Sequence, residues 1–175
     1  TRQESCRLGI EALARHGVTH VLIHDAARPF LSPELIDRVI AALATHQGAI
    51  PGIAVADTLK KASNGVIERT VDRSGLWAVQ TPQGFAYDEI RAAHEKGGAA
   101  GQTQLTDDAA VAEYAGLTVA IVTGAPENRK MTTPDDLADA DRVLNRSLTD
   151  IRTGMGVDIH PFAPGDHVML CGVRI

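Results

Sequence analysis

The chain has too few cysteines, too little positive charge and too short an apolar run to join several common classes of protein. Its two cysteines, Cys6 and Cys171, stand far apart with no CxxC spacing, which argues against a disulfide framework or a thiolate zinc site. No apolar stretch approaches the roughly 20 residues that a membrane-spanning helix needs. The opening residues, TRQESCRLGI, lack the basic-then-apolar layout of a secretory leader. A net charge of -5 speaks against a general nucleic-acid surface, which would carry a basic patch or stripe. The glycine fingerprints GxGxxG and GxxxxGK are also absent, which removes the usual sign of a dinucleotide-dependent dehydrogenase. The expectation is a cytoplasmic protein, with neither membrane nor nucleic acid among its partners. At 175 residues and 44% hydrophobic content it can bury a core.

What is present is an alternation of two periodicities. Residues 4–15 place Cys6, Leu8, Ile10, Leu13 and Ala14 near helical spacing, and Gly17 offers a stop. Residues 18–23 form a short apolar run that predicts a buried strand ending at His24 and Asp25. Ser32 and Pro33 then supply an N-cap and first-turn proline for a helix striped by Leu35, Ile36, Val39, Ile40 and Leu43. Further strands are predicted at 49–56, 76–79 and 117–122, and helices at 87–96, 106–114 and from 133 to about 144. Between them, Asn64-Gly65 divides two short flanks in residues 58–71, a strong hairpin signal. Such alternation predicts an α/β fold with a mostly parallel sheet, whose ligands bind at the carboxyl ends of the strands. Asp25 stands at such an end. His16, His20 and His24 are spaced by four, but the strand between them breaks any metal-binding face.

Within HDAARPF, residues 24–30, Asp25 offers a carboxylate suited to a hard divalent cation and Arg28 a donor fork matched to phosphate. An Asp and an Arg at this spacing can also simply pair with each other across a turn. Five other segments lie in series with this one: TRQES at 1–5, DTLK at 57–60, TVDRSGLWAVQTPQGF at 70–85, LTDDAA at 105–110 and NRKMTTPDDL at 128–137. Together the six resemble the 2-C-methyl-D-erythritol 4-phosphate cytidylyltransferases in order and spacing.

That resemblance implies a Rossmann-like sheet of the nucleotidyltransferase type with a projecting β-hairpin arm. It implies CTP and a polyol phosphate as substrates, and Asp25, Arg28 and Lys130 as catalytic residues. Asp25 would hold Mg²⁺, Ser5 would lie near CTP, and Thr58, Arg73, Thr81 and Thr106 would line the polyol phosphate pocket. The arm would cross to a second copy in a homodimer, so that Thr58 and Arg73 serve the partner's site. Ribitol phosphate is an alternative acceptor, and a non-catalytic dimerising fragment an alternative role. Members of the family carry a triphosphate-cradling glycine-rich loop upstream of the point where this chain starts. Residues 1–146 are therefore expected to be an N-terminally incomplete cytidylyltransferase domain.

At 147–175 the pattern resets. GMGVDIHPF at 154–162 and VMLCGVRI at 168–175 resemble the opening of 2-C-methyl-D-erythritol 2,4-cyclodiphosphate synthase. There Asp158 and His160 would bind Zn²⁺ or another divalent cation, in a site left incomplete because the family's third ligand has no counterpart before Ile175. The expectation is a linker and the start of a second domain in a bifunctional enzyme.

Overall fold

The computed structural model describes residues 1–102, 105–147, 169–170 and 173–174. The chain divides into two units, residues 1–134 and 135–175. In the first, α1 (Arg2–Ala12) starts on Thr1, whose side chain accepts a hydrogen bond from the Glu4 amide, and continues into a short 3₁₀ turn, Leu13–Arg15. Strand β1 (His20–Ile23) follows, then α2 (Pro33–Ala42), capped by Ser32 with Pro33 in its first turn as the pattern predicts. Strand β2 (Gly48–Ala54) leads to the arm, β3 (Leu59–Ser63) and β4 (Val66–Val71). Asn64 and Gly65 both have positive φ, 50° and 78°, which matches the Asn-Gly preference of a tight hairpin turn. The arm forms its own two-stranded sheet, with Val66 and Ile67 exposed.

Strands β5 (Trp77–Val79) and β6 (Gln83–Ala86), helices α3 (Tyr87–Ala99) and α4 (Asp108–Ala115), and strand β7 (Val119–Thr123) complete the first unit's elements. Strand β6 is absent from the expected pattern, yet it is central. It lies between β1 and β2 and pairs antiparallel with both. Strand β2 also pairs antiparallel with β5 and parallel with β7. Three of the five strands, β1, β2 and β7, thus run one way, which keeps their carboxyl ends on a common edge, while β5 and β6 run against them.

Side chains explain the layering. Phe85 is fully buried with Ile50, Ile10, Tyr87, Ile90, Val111 and Ala112, joining the sheet to α1, α3 and α4. On the opposite face, Leu35 and Val39 of α2 are also fully buried. Gly84 is required there: a Cβ would lie 2.7 Å from Val39 Cγ1 and 2.9 Å from Leu22 Cδ2, closer than any real contact. The second unit contains the helix α5 (Pro134–Ser147), which starts in the last residue of the first, and a short antiparallel pair, Met169–Leu170 with Val173–Arg174.

Candidate active site

The loop after β1 is held by its own neighbours. Arg28 N–H donates to the Asp25 carbonyl at 2.9 Å, closing a turn. Asp25 N–H donates to Thr81 Oγ1 at 3.0 Å, and His24 Nδ1 lies 3.0 Å from the same hydroxyl. His24 Nε2 is 3.0 Å from the Arg28 carbonyl, which can only accept, so Nε2 carries the proton. In a neutral ring Nδ1 then accepts from Thr81, whose hydroxyl has both an amide and an imidazole to satisfy. His24 therefore braces the loop, a role its spacing from His16 and His20 does not reveal.

A second segment, residues 124–131, is stitched against the first. Asn128, fully buried, donates to the Thr81 carbonyl at 2.7 Å and its own carbonyl accepts from Arg28 Nη1 at 2.8 Å. Met131 N–H donates to the Ala27 carbonyl at 2.8 Å. Gln80 completes the seam by exchanging hydrogen bonds with the backbone of Ala125. This places Lys130 Nζ 3.0 Å from Asp25 Oδ2, although the two residues are far apart in the chain.

These segments enclose a polar cavity of about 140 Å³ lined by Asp25, Arg28, Thr81, Thr106 and Lys130, with Arg2, Gln80, Gln83 and Asp107 in its wall. Five predicted site residues therefore meet. Ser5, Thr58 and Arg73 do not. Ser5 is exposed on α1 with its hydroxyl on the Thr1 carbonyl, while Thr58 and Arg73 flank the arm and are exposed. Asp158 and His160 lie outside the described residues. A larger, apolar cavity of about 420 Å³, lined by His20, Leu22, Ile40, Leu43 and Ala44, has no convergent charges and offers no comparable chemistry.

Asp25 and Arg28 do face each other, but the separation from Oδ2 to Nε is 3.7 Å, too long for a hydrogen bond. Among the described residues Arg28 Nε, though buried, has no hydrogen-bond partner. This nitrogen stays within ion-pair reach of Asp25, while the Arg28 side chain as a whole lines the cavity and brings a positive charge to it. Burial lowers the Arg28 pKa from its ordinary value, against the opposing pull of Asp25. For Asp25, burial favours the neutral acid, but Lys130, Arg2 and Arg28 outweigh it and hold the pKa below the usual carboxylate value. Asp107 also lines the cavity, where one oxygen caps α4 through Ala110 N–H and the other accepts from Gln83 Nε2. Asp25 differs from it in facing three cations, Lys130, Arg28 and Arg2, at the cavity. Among the described residues no three His, Cys, Asp or Glu side chains converge as a metal site. One carboxylate is nevertheless the donor set that suits Mg²⁺, which takes its remaining ligands from substrate phosphates and water.

Comparison with known proteins now decides the family. A family model described as 2-C-methyl-D-erythritol 4-phosphate cytidylyltransferase matches residues 1–146. The chain belongs to this family. Over 179 aligned residues it is 54% identical to the bifunctional enzyme IspD/IspF of Mesorhizobium japonicum, covering 100% of this chain and 44% of that protein. Identity to the Rhodospirillum rubrum bifunctional enzyme IspD/IspF is 56%, over 99% of this chain and 44% of the relative. The chain thus spans somewhat less than half the length of these curated relatives. Among solved structures, the 2-C-methyl-D-erythritol 4-phosphate cytidylyltransferase of Thermus thermophilus superposes with a TM-score of 0.77 at 36% identity, covering 83% of this chain and 70% of that one.

For this cytidylyltransferase-family chain, residues that the motifs do not single out prove to hold the site together. Gln83 Oε1 accepts from both Asp108 and Ala109 amides, fixing the start of α4 beside the cavity. Gln83 belongs to a recognised motif, TPQGF, but only the position of β6 shows what its amide does. No helix is long and apolar enough to cross a membrane among the described residues.

Proposed function

We propose that the protein transfers CMP from CTP to 2-C-methyl-D-erythritol 4-phosphate and releases pyrophosphate. The observation that carries this is the convergence of Arg28 and Lys130 on one cavity beside Asp25. Two cations at one small cavity suit a phosphate, and the hydroxyls of Thr81 and Thr106 suit phosphate or diol oxygens. The acceptor's phosphate oxygen attacks the α-phosphorus of CTP in line, and the bond to pyrophosphate breaks. The chain's contribution is positional and electrostatic: Arg28 and Lys130 hold the acceptor phosphate and counter developing charge. Mg²⁺ held by Asp25 would neutralise charge on the triphosphate. No side chain is needed as a covalent nucleophile. We place the enzyme in the cytoplasm, in the synthesis of isoprenoid precursors.

Pyrophosphate release tests the acceptor. With CTP and Mg²⁺, the intact protein is expected to turn over the branched methylerythritol ester and to prefer it to ribitol 5-phosphate. A preference for the ribitol ester overturns this choice.

The exposed arm is proposed to cross to a second copy, so that Thr58 and Arg73 complete the partner's site. If so, Arg73→Ala and Lys130→Ala proteins, each inactive alone, regain about a quarter of the sites when subunits are mixed, because half the dimers are mixed and each has one intact site. Recovery of no activity in verified mixed dimers contradicts the shared site. The names of the bifunctional relatives support a further reading: residues after 146 open a cyclodiphosphate synthase domain, with Asp158 and His160 as proposed ligands of Zn²⁺.

A further inference from the structure

Arg2, one of the cations around Asp25, also links the cavity to the fully buried carboxylate of Asp108. Its Nη2 lies 2.9 Å from Asp108 Oδ2, and its Nε 3.7 Å from Asp25 Oδ1. The Asp108 side chain is 0% exposed, and its other oxygen lies 3.0 Å from Nε2 of His94, which is 1% exposed. Asp108 is not in the cavity wall. Its backbone amide is fixed by Gln83 Oε1, so neither its main chain nor its carboxylate is free to swing. A fully buried carboxylate is expensive to desolvate and persists only with partners on its oxygens. Here the α3 imidazole of His94 lies at hydrogen-bond distance from one oxygen, while Arg2 faces the other as an ion-pair partner, that oxygen having no aligned hydrogen-bond donor among the described residues.

The cations around Asp25 divide by oxygen. Lys130 and Arg28 both face Oδ2, whereas Arg2 faces Oδ1. Lys130 is 46% exposed and can turn to a ligand. Arg2 is tethered from behind. Resting on the reading of the cavity as a nucleotidyl-transfer site, we propose that Arg2 is a positioning residue: held beside the buried Asp108–His94 pair, its charge attracts Asp25 Oδ1 across a 3.7 Å ion pair, without a hydrogen bond, and biases the carboxylate toward the orientation that receives the divalent cation.

A positioning role and a mere charge effect have opposite signs. Removing a positive neighbour without loss of orientation would tighten cation binding at Asp25; removing the orienting contact weakens it. In the intact protein, Mn²⁺ titrated by electron paramagnetic resonance, without turnover, is therefore expected to bind Arg2→Gln about 10- to 100-fold more weakly than wild type, the usual effect of losing an outer partner of a metal ligand. The variant's kcat falls with it while KM for the polyol phosphate stays unchanged. Arg2→Lys recovers part of both, and Arg2→Gln combined with Asp108→Asn is no worse than Arg2→Gln alone, because the residues act as one chain. Arg2→Gln leaves Asp108 paired with His94, so its fold does not depend on the outcome for Asp108→Asn. Unchanged or tighter Mn²⁺ binding by Arg2→Gln overturns the proposal. If wild type binds Mn²⁺ but releases no pyrophosphate from CTP when the polyol phosphate is present, the transferase reading fails, and the direction of the Mn²⁺ shift still decides the role of Arg2.

Discussion

Replacing Asp25 by Asn is expected to lower kcat for CMP transfer by about 10²- to 10³-fold, the usual effect of removing one preorganised electrostatic group from a reaction centre. Asn preserves the shape of the side chain and leaves the backbone amide of residue 25 free to keep its bond to Thr81. It removes the charge on which Lys130, Arg28 and Arg2 converge. Of these cations Lys130 is 46% and Arg2 34% exposed, so water can solvate them, whereas Arg28 is 12% exposed and loses its facing carboxylate; the unfolding free energy should fall by about 1–2 kcal/mol, less than the cost of breaking a fully buried pair. A large loss of activity with little loss of stability is the combination to look for in parallel steady-state and chemical-denaturation measurements. Loss of both in proportion would show that Asp25 serves the loop and not the chemistry.

Asp108→Ala should do the reverse and act first on stability. The substitution strands His94, already without a partner on Nδ1, and frees Arg2. Breaking a buried pair by removing one member costs about 3–5 kcal/mol, and the partial exposure of Arg2 argues for the lower end. Urea unfolding of wild type and variant reads this directly. The carboxyl also couples stability to acid. Burial favours its neutral form, but the His94 hydrogen bond and the Arg2 charge outweigh this and depress the folded-state pKa. Such a group adds stability that is fully present above its unfolded pKa, near 4, and is lost as pH falls through the lower folded value. The wild type should therefore lose more stability than Asp108→Ala as pH drops below about 4. Equal acid sensitivity in the two proteins would contradict the assignment.

Much of this arrangement is legible in the residues. Ser32-Pro33, Asn64-Gly65 and the apolar run ending at Ile23 each have one strong local solution, and the helix, hairpin and strand form where those signals stand. Strand β6 is less visible because Pro82 precedes it and Gly84 sits inside it, both poor strand formers by themselves. Gly84 is needed because Val39, Leu22 and Leu43 fill the space a Cβ would take, a constraint set largely by the packing of α2. The site shows the same division. Asp25, Arg28 and Lys130 carry charges whose chemistry is evident from their types and motifs. His24, Gln83, Asn128 and Asp108 act through hydrogen bonds to segments distant in sequence, and such bonds exist only once β1, β6 and α4 are side by side. Thr58 and Arg73, exposed beside the arm, cannot be placed in a site by one copy of the chain.

The central claim is that the cavity joining Asp25, Arg28 and Lys130 directs the CMP group of CTP to a polyol phosphate. Phosphorus NMR of intact wild-type and Asp25→Asn proteins, each with CTP, Mg²⁺ and 2-C-methyl-D-erythritol 4-phosphate, follows that group directly. Wild type should convert the CTP α-phosphorus and the acceptor phosphorus into a coupled diphosphate pair while pyrophosphate accumulates, and Asp25→Asn should leave both reactants almost unchanged. Release of free CMP with no coupled product, or equal conversion by the two proteins, would contradict it.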